Sequence, residues 1–157
     1  MTRSYALSIS VLLFLTMSQC ASFEKLSTPE FIGDASYYRT WVAGVKGGGS
    51  GMDFYIDIND VPASVELLTL YFKEYNAQVF FEANRYVAHF KTPMNTSTTN
   101  GSTPDITPKK KPPFEITEEE AILMYKKEGK EYYTKIQKIT NKGHIAFPSA
   151  GGPNSKH

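Results

Sequence analysis

Asp53, Asp57 and His89 are the side chains whose types could do acid–base chemistry in this chain. A carboxylate beside an imidazole can hold its tautomer and pass a proton near neutral pH. Their spacing alone does not join them. Asp53 and Asp57 stand four residues apart in the alternating run Met52–Ile58 (MDFYIDI), and at about 3.3 Å per strand residue that is roughly 13 Å, too far for one metal ion. Asp57, Asn59 and Asp60 lack the glycine and the distal glutamate of a calcium loop. His89 and His144 have no HxH or HxxxH companion for zinc. Ser50, in Gly49-Ser50-Gly51, falls short of a GxSxG elbow. The residues therefore call for no metal and no cofactor, and the plain reading of each is a solvated strand face. A small hydrolase-like enzyme whose dispersed Asp53, Asp57 and His89 are gathered by folding is kept as an alternative.

Lys46-Gly47-Gly48-Gly49-Ser50-Gly51 is the segment best suited to contact a ligand or partner. Successive glycines let backbone N–H groups converge on an anion and let another backbone come close. A phosphate loop needs its lysine after the glycines and a helix beyond them. Here the lysine comes first and a strand pattern follows, so the sequence predicts a flexible hairpin loop.

Cys20 is the only cysteine, and it closes a short apolar run, Ala6–Met17, that follows Arg3. The run is too short for a transmembrane helix and has the layout of an export signal. Two fates fit the thiol. Cleavage before Cys20 leaves a sulfur that carries diacylglycerol; cleavage near Ala21 releases the chain freely. An unpaired cysteine has no disulfide partner in an oxidising compartment, which favours lipidation. Residues 1–19 are then a signal peptide and 20–30 a tether. Loss of Arg3 from the 17 basic residues balances the 16 acidic ones. That neutrality argues against a nucleic-acid partner, which calls for a basic surplus.

The elements that must position these residues read as strands. Tyr37–Val45 and Met52–Ile58 alternate with period two across the Gly-rich segment, which predicts a hairpin. Val65–Phe72 is more continuously apolar and reads as a central strand; Gln78–Ala83 and Tyr86–Lys91 follow. Aromatic and β-branched residues dominate them. Residues 92–113, rich in Thr, Ser, Pro and Lys, predict a mobile surface loop. Thr117 and Glu120 match a capping box, and the run EEEAILMYKKE has good helix propensity, so a helix within 117–139 is one reading. Gly129 suits a turn better than a helix interior, so 121–139 is expected as a hairpin. A last short strand at 144–147 and a polar tail at 148–157 complete the chain. Seven or eight strands with frequent turns predict a single all-β domain over 31–147, a β-sandwich with an immunoglobulin-like topology as one candidate and Trp41 as its central aromatic.

The signal ending at Cys20, the stretch WVAGVKGGGSG at 41–51 and Phe147-Pro148-Ser149 together resemble small uncharacterised lipoproteins of Gram-negative bacterial envelopes. The resemblance implies lipid attachment through Cys20 and a place in the cell envelope, the outer membrane in the first instance. It implies no reaction. The expected function is a non-catalytic binding or structural module whose partner is an envelope protein or glycan, with contacts at 46–51 and 92–113. A freely secreted β-sandwich glycoprotein is a further alternative, since Asn95-Thr96-Ser97 and Asn100-Gly101-Ser102 match the glycosylation pattern of a eukaryotic secretory pathway.

Overall fold

The computed structural model describes residues 28–96 and 106–148. The segment 1–19 expected as a signal, Cys20, most of the expected tether, the middle of the 92–113 stretch and the tail from 149 lie outside the described residues. Eight strands run in chain order: β1 (Tyr37–Ala43), β2 (Gly48–Ile56), β3 (Val65–Phe72), β4 (Tyr75–Glu82), β5 (Arg85–Thr96), β6 (Ala121–Lys127), β7 (Lys130–Ile136) and β8 (Thr140–Phe147). Their lateral order is β7-β6-β3-β4-β5-β2-β1-β8.

β4 turns this single ladder into two layers. Its first half, Tyr75–Gln78, pairs with β3, and its second half, Val79–Glu82, pairs with β5. The strand thus passes from one layer to the other, as corner strands of sandwiches do. The larger layer is β4-β5-β2-β1-β8 and the smaller is β7-β6-β3-β4. Lettered A to G in chain order, β1 to β7 give the A-B-E-D and C-F-G sheets of an immunoglobulin-like sandwich. β8 is added outside that plan, parallel to β1.

Period-two alternation fills the space between the layers. Met52, Phe54 and Ile56 of β2 and Ala88 and Phe90 of β5 meet Leu70 and Phe72 of β3, Ala121 and Leu123 of β6 and Ile136 of β7. Phe72 is the hub: its ring lies 5.0 Å from Phe54, 5.0 Å from Tyr38 and 6.4 Å from Phe90. Burying each such side chain contributes about 1.5–3 kcal/mol.

Tight turns set the registers. Lys127 faces Lys130 across Glu128-Gly129, both at positive φ (51° and 82°), a type I′ geometry whose twist matches the flanking strands. Glu82 faces Arg85 across Ala83-Asn84 in the same way, with φ of 48° and 62°. The Thr117–Glu120 pair opens no helix. The Thr117 amide donates to Glu120 Oε2 at 3.0 Å, but Lys135 Nζ reaches the same oxygen at 3.1 Å and β6 begins at the next residue. That amide, and then Lys135, hold the Glu120 carboxyl below its ordinary value.

Two expected loops are shorter than the sequence suggests. Gly48–Gly51 belongs to β2, and β5 continues to Thr96. Residues 107–110 are tied to the sheet as well. Lys91 N donates to Thr107 Oγ1 at 2.7 Å and Thr107 N to the Lys91 carbonyl at 2.9 Å, while Lys109 bridges to Tyr75. They fill the place beside β5 that β4 leaves when it crosses to the smaller layer.

Candidate functional site

The larger layer has an outer face turned away from the core. Its registers, Tyr37↔Tyr55 and Arg39↔Asp53 between β1 and β2, then Asp53↔His89 and Tyr55↔Val87 between β2 and β5, place these side chains side by side. Phe80 opposite Val87 and Glu82 opposite Arg85 extend the face onto β4.

At its centre stands His89. Its Nδ1 lies 2.8 Å from Asp53 Oδ1 and its Nε2 lies 3.4 Å from Glu82 Oε2. The Asp53 side chain is only 8% exposed, so Asp53 is a buried carboxylate held by an imidazole rather than part of a solvated face. The Asp53 hydrogen bond, reinforced by both carboxylate charges against the cost of burial, pushes the His89 pKa up. The ring is thereby favoured as a cation bonded through both nitrogens.

Beside this cluster, Tyr37 and Tyr55 stack with ring centres 4.8 Å apart and planes 20° apart. Burial first, and then the Asp53 charge, raise the Tyr55 phenol. Cations gather on Tyr37. Lys142 Nζ sits 3.7 Å from the ring centre, Arg39 Cζ lies at 5.9 Å, and Arg85 Nη1 donates to the Tyr37 hydroxyl at 3.1 Å.

Asp57 does not join this group. Its Oδ2 accepts from the Ala35 amide at 2.9 Å and its own amide donates to Ser36 Oγ at 2.9 Å, so it fastens the entry to β1. His144 is bonded to Thr40 Oγ1 at 3.1 Å on the β1–β8 side. Among the described residues no group of three or more His, Cys, Asp and Glu is arranged to hold a metal ion.

The Gly-rich segment turns out to be bound up in the fold. Lys46 and Gly47 form the tip of the β1–β2 hairpin. The Gly47 amide donates to Asn95 Oδ1 at 3.0 Å, and Asn95 Nδ2 reaches the carbonyls of Ala43 at 2.9 Å and Val45 at 3.0 Å. Ser50 is buried and bonds Thr92 Oγ1 at 2.7 Å and the Met94 carbonyl at 2.6 Å. Gly49 and Gly51 lie beneath the Trp41 indole. Trp41 therefore packs on this hairpin and on Phe147, with ring centres 6.3 Å apart, rather than at the centre of the core. Asn95, whose amide nitrogen is committed to these carbonyls, has no free nitrogen for a glycan. Asn100 and Cys20 lie outside the described residues.

Sequence reasoning named Asp53 and His89, and counted Tyr37 and Tyr55 among the tyrosines that could form a carbohydrate or partner surface, but it did not find Glu82 as the second partner of His89 or set Arg39 and the two tyrosines beside the pair. Register arithmetic on β1, β2 and β5 could have paired them, because alternate residues of hydrogen-bonded strands share a face. What the geometry defines is an immunoglobulin-like β-sandwich with an aromatic and charged sheet face. In comparison with known proteins, no family model, no curated protein and no solved structure matches the chain.

Proposed function

We propose that this chain is a non-catalytic binding module, exported and moored to the bacterial cell envelope by a lipid on Cys20, that engages an envelope protein or glycan through the outer face of its larger sheet. The observation that carries the binding reading is the Tyr37–Tyr55 stack set beside the Asp53–His89–Glu82 cluster. Tyrosines offer contact area at low entropic cost with a polar edge, and fixed charges beside them give orientation. The lone cysteine at the end of an export signal supports the mooring, and a diacylated sulfur would hold firmly at about 0.8 kcal/mol per buried methylene. The tip at Lys46, flanked by Val45 and Met94 at 41% and 66% exposure, is a second contact region on this proposal. The outer membrane is the expected location.

The Asp53–His89 distance keeps a hydrolase-like reading in view. Two features weigh against it: Asp57 is committed elsewhere, and an imidazole gripped by carboxylates on both nitrogens is a poor general base.

Two measurements test the proposal. Metabolic labelling with a clickable fatty acid should mark the wild-type chain and not Cys20→Ala; label surviving in the variant would sink the anchor. A photo-crosslinker at position 55 should capture an envelope component in cells that one at Glu66, on the smaller sheet, does not. Equal capture at both positions would remove the face from consideration.

A further inference from the structure

The three cations around Tyr37 are placed by the fold. Lys142 reaches the ring because β8 bulges. The β1–β8 register shifts between Tyr38 and Thr40, Gly143 takes φ of 85°, and its amide donates to Asn141 Oδ1 at 2.9 Å. Bulges re-aim side chains in this way. Arg39 arrives from β1, with its Nε buried and without a hydrogen-bond partner. Arg85 arrives from the turn end of β5. Among the described residues none of the three forms an ion pair within 4.0 Å of a carboxylate, whereas Lys109, Lys135 and Lys138 each do. The two carboxylates of this face, Asp53 and Glu82, are turned to His89.

Three positive charges converging on one phenol, with the local acids engaged elsewhere, leave an electrostatic deficit that an anion would fill. Stacked Tyr55 covers one side of Tyr37 and Lys142 lies over the ring, so the open chemistry is that of the cations and the phenol hydroxyl, not of a bare aromatic face. We propose that Arg39, Arg85 and Lys142, grouped on Tyr37, bind a phosphate monoester group of the chain's ligand. Guanidinium forks match tetrahedral oxyanions, and a lysine adds a point charge. A phosphate monoester carries nearly two negative charges at neutral pH and uses three cations better than a single carboxylate does. The inference rests on the proposal that this sheet face is the binding face, and it names what that face recognises.

The test uses the full chain in detergent solution, titrated by calorimetry at constant ionic strength. Inorganic phosphate should bind saturably where chloride does not. Glucose 6-phosphate should bind and glucose should not. Arg85→Gln and Lys142→Gln, at exposed positions, should each weaken phosphate about tenfold or more, while Lys110→Gln, in the basic run at 109–111, should leave it unchanged. Phosphate binding no better than chloride, or equal binding by the Arg85 and Lys142 variants, overturns the site. If phosphate fails while the crosslinker at 55 still captures a component, the phosphate inference alone falls. If phosphate binds and the crosslinker captures nothing, the envelope-contact reading falls and the anion site stands.

Discussion

The indole of Trp41 lies across Gly51 so closely that a methyl group there would meet Cε2 and Cζ2 at 2.7 Å, and would press on the Phe90 carbonyl as well. Gly51 is thus explained by a ring that needs a bare backbone beneath it, while Gly47 and Gly49 take positive φ of 79° and 88°. Gly51→Ala should destabilise the domain by about 3 kcal/mol or more, because one side of the clash is main chain and cannot rotate away. Urea denaturation measures it. A variant within 0.5 kcal/mol of wild type, a margin typical of about-neutral surface changes, would refute the close packing.

Asn95 holds the β1–β2 hairpin from the end of β5. Besides its bonds to Gly47, Ala43 and Val45, its Nδ2 approaches the Gly49 carbonyl at 3.5 Å, and its own φ is 55°, a left-handed value that asparagine tolerates. Asn95→Ala should cost about 1–3 kcal/mol by leaving these groups unpaired. Asn95→Asp should recover little, since it keeps the acceptor and loses both donors. Hydrogen exchange at Gly47 should rise in Asn95→Ala, which removes the acceptor of its amide, and rise less in Asn95→Asp, which keeps it.

Thr134 is fully buried, facing the core from β7, and its Oγ1 has no hydrogen-bond partner. Valine has nearly the same shape without the polar atom. Thr134→Val should therefore be neutral or stabilise by up to about 2 kcal/mol. A loss of stability in denaturant titration would mean that the hydroxyl has a bond not visible in this arrangement.

His89 makes stability depend on pH. Its pKa is raised in the folded chain, chiefly by the Asp53 hydrogen bond, whereas the unfolded imidazole titrates near about 6.5. Between the two values the folded state binds more protons than the unfolded state, so stability falls as pH rises. The contribution is whole below the unfolded value and is lost as pH climbs through the folded one. Melting temperature should decline across that window in wild type, and the decline should flatten in His89→Gln. A wild-type curve rising with pH through this window would contradict the clamp.

Much of the architecture was legible. Met52, Phe54 and Ile56 alternate cleanly with Asp53 and Tyr55, and they do line the core. Gly129 marked the β6–β7 turn, even though Thr117 and Glu120 carried a helix signal. Glu120 had a tertiary partner in Lys135, 15 residues on, which a local motif cannot register. The segment 48–51 was misread as loop because the reason for Gly51, the Trp41 ring, sits on the neighbouring strand.

From the order of amino acids alone come the strand periodicity, the turn at Gly129, the near-neutral charge and the expectation of export ending at Cys20, because each is a local or compositional property. Three-dimensional packing decided which face each polar side chain occupies. Asp53 and His89 are 36 positions apart in the chain, and Tyr37 and Lys142 are further apart still. Only strand register, bulges and the crossing of β4 bring such residues within reach, and those depend on the whole core closing at once.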